Sequence, residues 1–182
     1  KESTSAYLGL FTVLNALVHF VVARLFFTKE NTDVNLFYLA IGLVFIFITI
    51  AIPVQLDGNW VTLFWLLEAG LLFTIGRLKQ VSFYEKLSYP IIAISALKLF
   101  EELDKTSYIY NELTPFFNSV FATALIGNII YGVINYFHFK KSANHRLKHS
   151  RLFRILNFAL PIIFVFTLFV TFSNEISQYF NL

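Results

Sequence analysis

Cysteine is absent from all 182 residues, which removes disulfides, a thiol nucleophile and any cysteine-based metal site. Methionine is absent too, even at the first position. A chain that opens on Lys1 and closes on the polar NEISQYFNL reads as an internal or processed piece of a longer protein. Its front lacks the short apolar core and small-residue cleavage site of a signal peptide. Charge is scarce: Asp, Glu, Lys and Arg make up 14%, against about 25% in soluble domains. That leaves too little polar surface to cover a body soluble in water. The seven glycines form no phosphate-cradling loop, and no serine-protease arrangement or metal-ligand motif occurs. Neither a cofactor nor a metal is expected, and no catalytic residue stands out.

Apolar residues take the space that charge leaves. The hydrophobic share is 57%, the mean hydropathy is +0.68, and phenylalanine alone occurs 23 times. A helix needs about 20 mostly apolar residues to cross a bilayer. Six stretches qualify, at 7–27, 34–56, 60–78, 83–100, 115–139 and 152–172. Lipid offers the backbone no hydrogen-bond partner, so helices are expected rather than open strands, and runs such as IGLVFIFITIAI do not alternate as barrel strands do. The fold expected is all-α: a polytopic transmembrane bundle of about six spans, one domain over 1–182, with the lipid bilayer and further transmembrane helices of the same chain or complex as its partners. Local signals support the breaks. Leu56–Asn59 (LDGN) is a tight turn. Ser82–Glu85 (SFYE) has the pattern of a capping box. Thr114 and Pro115 suit the first positions of the fifth helix, and Pro161 interrupts the hydrogen bonding of the sixth.

Basic residues give direction. With the N-terminus outside, the inner loops and adjoining helix ends hold 11 of the 14 Lys and Arg, leaving Lys1, Lys98 and Lys105 outside. That bias follows the positive-inside rule and predicts both termini outside. A chain ending outside would continue into further spans.

Three places hold chemistry worth weighing. Glu68 sits in the run WVTLFWLLEAGLLFTIGR, roughly 12 Å from either end of its helix. A charge at that depth costs about 2.5–3.5 kcal/mol on insertion scales, so the carboxyl is expected to be protonated or paired. It is either a proton or cation site or a polar contact that fixes helix packing. Partners ranked by depth are His19, on a stripe with Thr12, Asn15 and Ala23, and Asn128, on a small-residue face with Ala124 and Gly132. The second place is His138–Arg151, where Lys140, Lys141, Arg146, Lys148 and Arg151 form a juxtamembrane basic run. Such a run sets topology and attracts anionic lipid. Nothing around it would shape a nucleic-acid groove, and the His145–His149 pair has too few neighbours for a metal. The third is the acidic Glu101–Glu112, most simply a solvated loop, with Tyr108 and Tyr110 as interfacial anchors and Lys98 reaching toward Glu101 or Glu102.

The stretch AIPVQLDGNWVTLFWLLEAGLLFTIGR, through Pro53, Gln55, Leu56, Asp57, Gly58, Trp60, Trp65, Glu68 and Arg77, resembles the signature region of a family of large polytopic bacterial membrane proteins, domain of unknown function twenty-three thirty-nine. The resemblance covers about 30 residues. It implies a multi-pass protein of the bacterial inner membrane, makes Glu68 part of a pattern, and implies no activity. The favoured expectation is a structural or assembly module of an envelope complex. A transporter or channel using Glu68 is the first alternative. A membrane-embedded enzyme acting on a lipid-linked substrate is the second.

Overall fold

The computed structural model describes residues 2–28, 33–106, 114–140 and 151–180. They form six helices and no strand: α1 (Glu2–Thr28), α2 (Val34–Gln55), α3 (Asn59–Lys79), α4 (Ser82–Thr106), α5 (Ser119–Lys140) and α6 (Arg151–Phe180). Five of them, α1 from Tyr7 onward, α2, α3, α5 and α6, are long and apolar enough to cross a membrane. The fourth expected span, 83–100, lies within a helix of 25 residues but is not among the five, because Glu85, Lys86 and Lys98 dilute its apolar run. The protein is a multi-pass, all-α membrane protein. Its outward faces carry exposed Leu, Ile, Val and Phe, as a body solvated by lipid requires.

The chain, read above as one domain, groups into two compact units, Lys1–Asp57 and Gly58–Leu182. The first is an antiparallel pair of helices. Phe27 meets Phe37, His19 meets Phe47, and Gly9 lies against the side chain of Gln55, so contacts pair early residues of α1 with late ones of α2. Small residues let the helices approach: Ala16, Ala23 and Ala40 are buried between them. Asp33 caps α2, accepting from the backbone N–H of Asn35 at 2.8 Å.

The second unit is a bundle of α3 to α6. Leu66, Phe73, Leu99, Ile134 and Leu160 fill its core at 0–1% exposure. A two-residue turn joins α3 to α4. Gln80 takes the left-handed conformation there (φ 55°, ψ 30°), and its N–H bonds the carbonyl of Gly76. The two helices nearly touch: a Cβ on Gly76 would stand 2.6 Å from the backbone nitrogen of Glu85. Two expected helix starts differ. α5 begins at Ser119, not Pro115. Its cap is Asn118, whose Oδ1 accepts from the N–H of Phe121 at 2.7 Å, and Thr114 instead donates to the carbonyl of Phe117. Glu85 does not fold back on Ser82 in a capping box, because its carboxylate is drawn to Arg77.

Candidate functional site

Arg77 follows Gly76 on α3, so the close approach of α4 buries it completely, at 0% exposure. Its Nε is 2.9 Å from Oε1 of Glu85, itself 1% exposed. Tyr89, one turn further along α4, donates its hydroxyl to the same oxygen at 3.0 Å. On the opposite side, Nη2 of Arg77 donates to Nδ1 of His138 at 2.8 Å. Nε2 of His138 then donates to Oδ1 of Asn157 at 2.7 Å. Guanidinium only donates and a carboxamide oxygen only accepts, so this imidazole is neutral with its proton on Nε2. The rings of Phe73 and Phe153 lie 5.3 and 5.5 Å from the guanidinium carbon, within cation–π range. One cation thus joins α3 to Glu85 on α4, His138 on α5 and Phe153 on α6. The second carboxylate oxygen of Glu85, Oε2, is buried and takes no hydrogen bond from the described residues.

Further polar bonds cross the same unit. Ser95 on α4 meets the hydroxyl of Tyr131 on α5 at 3.1 Å. Asn128 on α5 donates to Thr171 at 3.1 Å and accepts from Thr167 at 2.8 Å, both on α6. Asn135 reaches the carbonyl of Leu160, just before Pro161. Asn174 on α6 donates to the carbonyl of Leu103 on α4. Glu175, 2% exposed, accepts from the N–H of Phe116 and the amide of Asn118, holding the turn before α5. Each group finds its partner on another helix or, for Glu175, on the turn that leads into one, which is what a carboxyl, amide or hydroxyl shielded from water requires.

The residues singled out from sequence fall in different places. Glu68 is half-buried on α3. The buried face of that helix runs through Thr62, Leu66, Ala69, Phe73 and Gly76, and at about 100° per residue Glu68 falls beside it. Asn128 is buried, and its carboxamide is committed to Ala124, Thr167 and Thr171. The small-residue face expected around it is a packing face: a Cβ on Gly132 would meet the ring of Phe164 at 3.4 Å. His19 bonds the carbonyl of Asn15 through Nδ1 at 2.7 Å, and Asn15 bonds the carbonyl of Phe11 at 2.8 Å. Both turn back on α1.

Of the basic run, Lys140 lies 4.7 Å over the ring of Tyr136 and Arg151 is exposed at the start of α6. Lys141, Arg146 and Lys148 lie outside the described residues, as do Tyr108 and Tyr110. By charge pattern alone Arg77 and His138 belong with the basic residues at the inner helix ends. Both are instead buried parts of one network. A glycine followed by arginine at a helix end, with a glutamate eight positions on across a short turn, was the signal available for it.

At the far end of α4, Lys98 sits 2.8 Å from Glu101 and 3.5 Å from Glu102, and Lys105 sits 2.7 Å from Glu101. Glu101 and Lys105 are solvated, at 50% and 54% exposure, whereas Glu102 is buried. Hydrogen bonds from Lys105 and then Lys98 hold the Glu101 carboxyl down at about 2, and the bond to Glu101 raises Lys105.

Compared with known protein families, with curated proteins and with solved structures, the chain matches none.

Proposed function

We propose that this chain is a structural module of a membrane assembly, with a four-helix unit whose internal geometry is fixed by buried polar bonds. The observation that carries this reading is Arg77, a fully buried cation tied to three other helices. An ion pair of that kind adds little stability over a packed apolar pair, but losing one partner is costly, so it selects one arrangement of helices. In this reading α4 also crosses the bilayer, its charges near the turn taken up inside the unit. The basic bias of the helix ends supports an N-terminus outside. The resemblance of the Pro53–Arg77 stretch supports the bacterial inner membrane and the polytopic family named above.

A transport reading has in its favour the Oε2 of Glu85, which is buried, takes no hydrogen bond from the described residues and could take a proton. Flux separates the two. The full chain is reconstituted in liposomes with an internal pH dye and an imposed proton gradient. The structural reading expects leakage no faster than in empty liposomes. A faster flux, lost in Glu85→Gln or Glu68→Gln, would replace it with the transport reading.

A further inference from the structure

The outward face of α6 pairs two unneutralised cations with a long apolar track. Arg151 and Arg154 are exposed at the helix start, and neither pairs with a carboxylate among the described residues. The one acidic residue of α6, Glu175, is buried and bonded elsewhere. At about 100° per residue, Arg151, Arg154, Phe158, Pro161, Val165 and Phe169 share an arc of about 80°. Phe158, Val165 and Phe169 are 73%, 60% and 67% exposed, so the track is open along its length. Pro161, Ile162, Val165, Phe166 and Phe169 line a groove of about 500 Å³ on it.

We propose that this face binds an anionic phospholipid, its phosphate between Arg151 and Arg154 and one acyl chain running past Phe158 into the groove at Pro161–Phe169. The lengths agree. The groove starts about 10 Å beyond Arg154 and ends about 22 Å beyond it at 1.5 Å per residue, while one leaflet contributes about 15 Å of hydrocarbon. The last third of a chain anchored at the arginines therefore lies in the groove. Charge and apolar surface on one face select a phospholipid over a soluble phosphate, which has nothing to place there, and over a neutral lipid, which leaves the arginines unmatched. The proposal needs α6 in a bilayer and nothing of the structural-module reading, so either can fail alone.

The test uses the full chain in neutral detergent. It is titrated with phosphatidylglycerol or phosphatidylcholine of identical acyl chains, and bound lipid is counted by native mass spectrometry. Phosphatidylglycerol should be retained about thirtyfold more strongly, the effect expected of two surface cations at about 1 kcal/mol each. Arg151→Gln with Arg154→Gln should abolish that preference. Val165→Trp, a change on an exposed face that folding tolerates, should weaken retention of both lipids. Soluble glycerol phosphate should not compete. Equal retention of the two lipids by the wild-type chain would overturn the proposal. A preference that survives the double arginine change would place the site elsewhere in the basic run and overturn it too. Full competition by glycerol phosphate would show a free-anion site instead.

Discussion

The two ends of α4 carry the same chemical bond with opposite consequences. Near its start, Arg77 and Glu85 stand 2.9 Å apart at 0% and 1% exposure. Near its end, Lys105 and Glu101 stand 2.7 Å apart at 54% and 50%. The shorter contact is the weaker one. Water screens the outer pair and competes for both partners, and exposed pairs commonly contribute next to nothing. The inner pair has lost its water, so each ion depends on the other, and removing either leaves an uncompensated charge. Distance alone does not rank ion pairs; the solvent each has given up does.

Breaking the inner pair has the largest expected effect. Arg77→Gln or Glu85→Gln should each cost about 3–5 kcal/mol, read as a lowered unfolding midpoint in detergent. A loss below 1 kcal/mol would place the inner pair in the class of the outer one. Gly76→Ala comes next. Its methyl would press on the backbone of Glu85 and separate α3 from α4, costing about 1–3 kcal/mol as overpacking does. If the inner pair depends on that approach, adding Glu85→Gln to Gly76→Ala will cost less than Glu85→Gln alone. Asn128→Leu should cost less than either, about 0.6–2 kcal/mol. Thr167 and Thr171 keep bonds to their own helix, at Ile163 and Thr167, so removing the amide strands little. An effect as large as that of Arg77→Gln would shift the weight from the bundle end to its middle.

The smallest effect belongs to the outer pair, and pH reads it. The Glu101 carboxyl is held at about 2, below its ordinary 4.5. A depressed carboxyl stabilises the fold above its unfolded value, and that contribution is lost as pH falls from 4.5 toward 2. Lys98→Gln with Lys105→Gln should therefore lower the melting temperature slightly above pH 4.5, and the gap to wild type should close by pH 2. A gap that widens on acidification would contradict the assignment.

The helices were legible because lipid makes the same demand of every span: a long apolar run with its backbone bonded internally. Their ends were less so. α4 runs on to Thr106 through Lys98, Glu101 and Lys105, whose spacing supports a helix that apolarity does not mark. α6 likewise extends to Phe180, past the apolar run, with Glu175 and Gln178 turned inward. α5 starts late because Glu175, 57 residues beyond Asn118, holds the preceding turn, and no local pattern carries that. The face of Asn128 and Gly132 was readable as a packing surface, since small residues at helical spacing have few other uses in lipid. The Arg77 network was not. An arginine two residues from a helix end looks the same whether it reaches out to the interface or inward. Only Gly76 and the partner helices decide, and His138 and Asn157 join it from 61 and 80 positions away.

The central claim, that Arg77 and Glu85 are worth little as a pair but much to each other, is tested most directly by a double-mutant cycle. Unfolding is measured for the full chain in one detergent as wild type, Arg77→Met, Glu85→Leu and the combination. The account predicts that each single change is costly and that the combination, with no buried charge left over, is more stable than either single variant. Losses that add, with the double variant least stable, would contradict it.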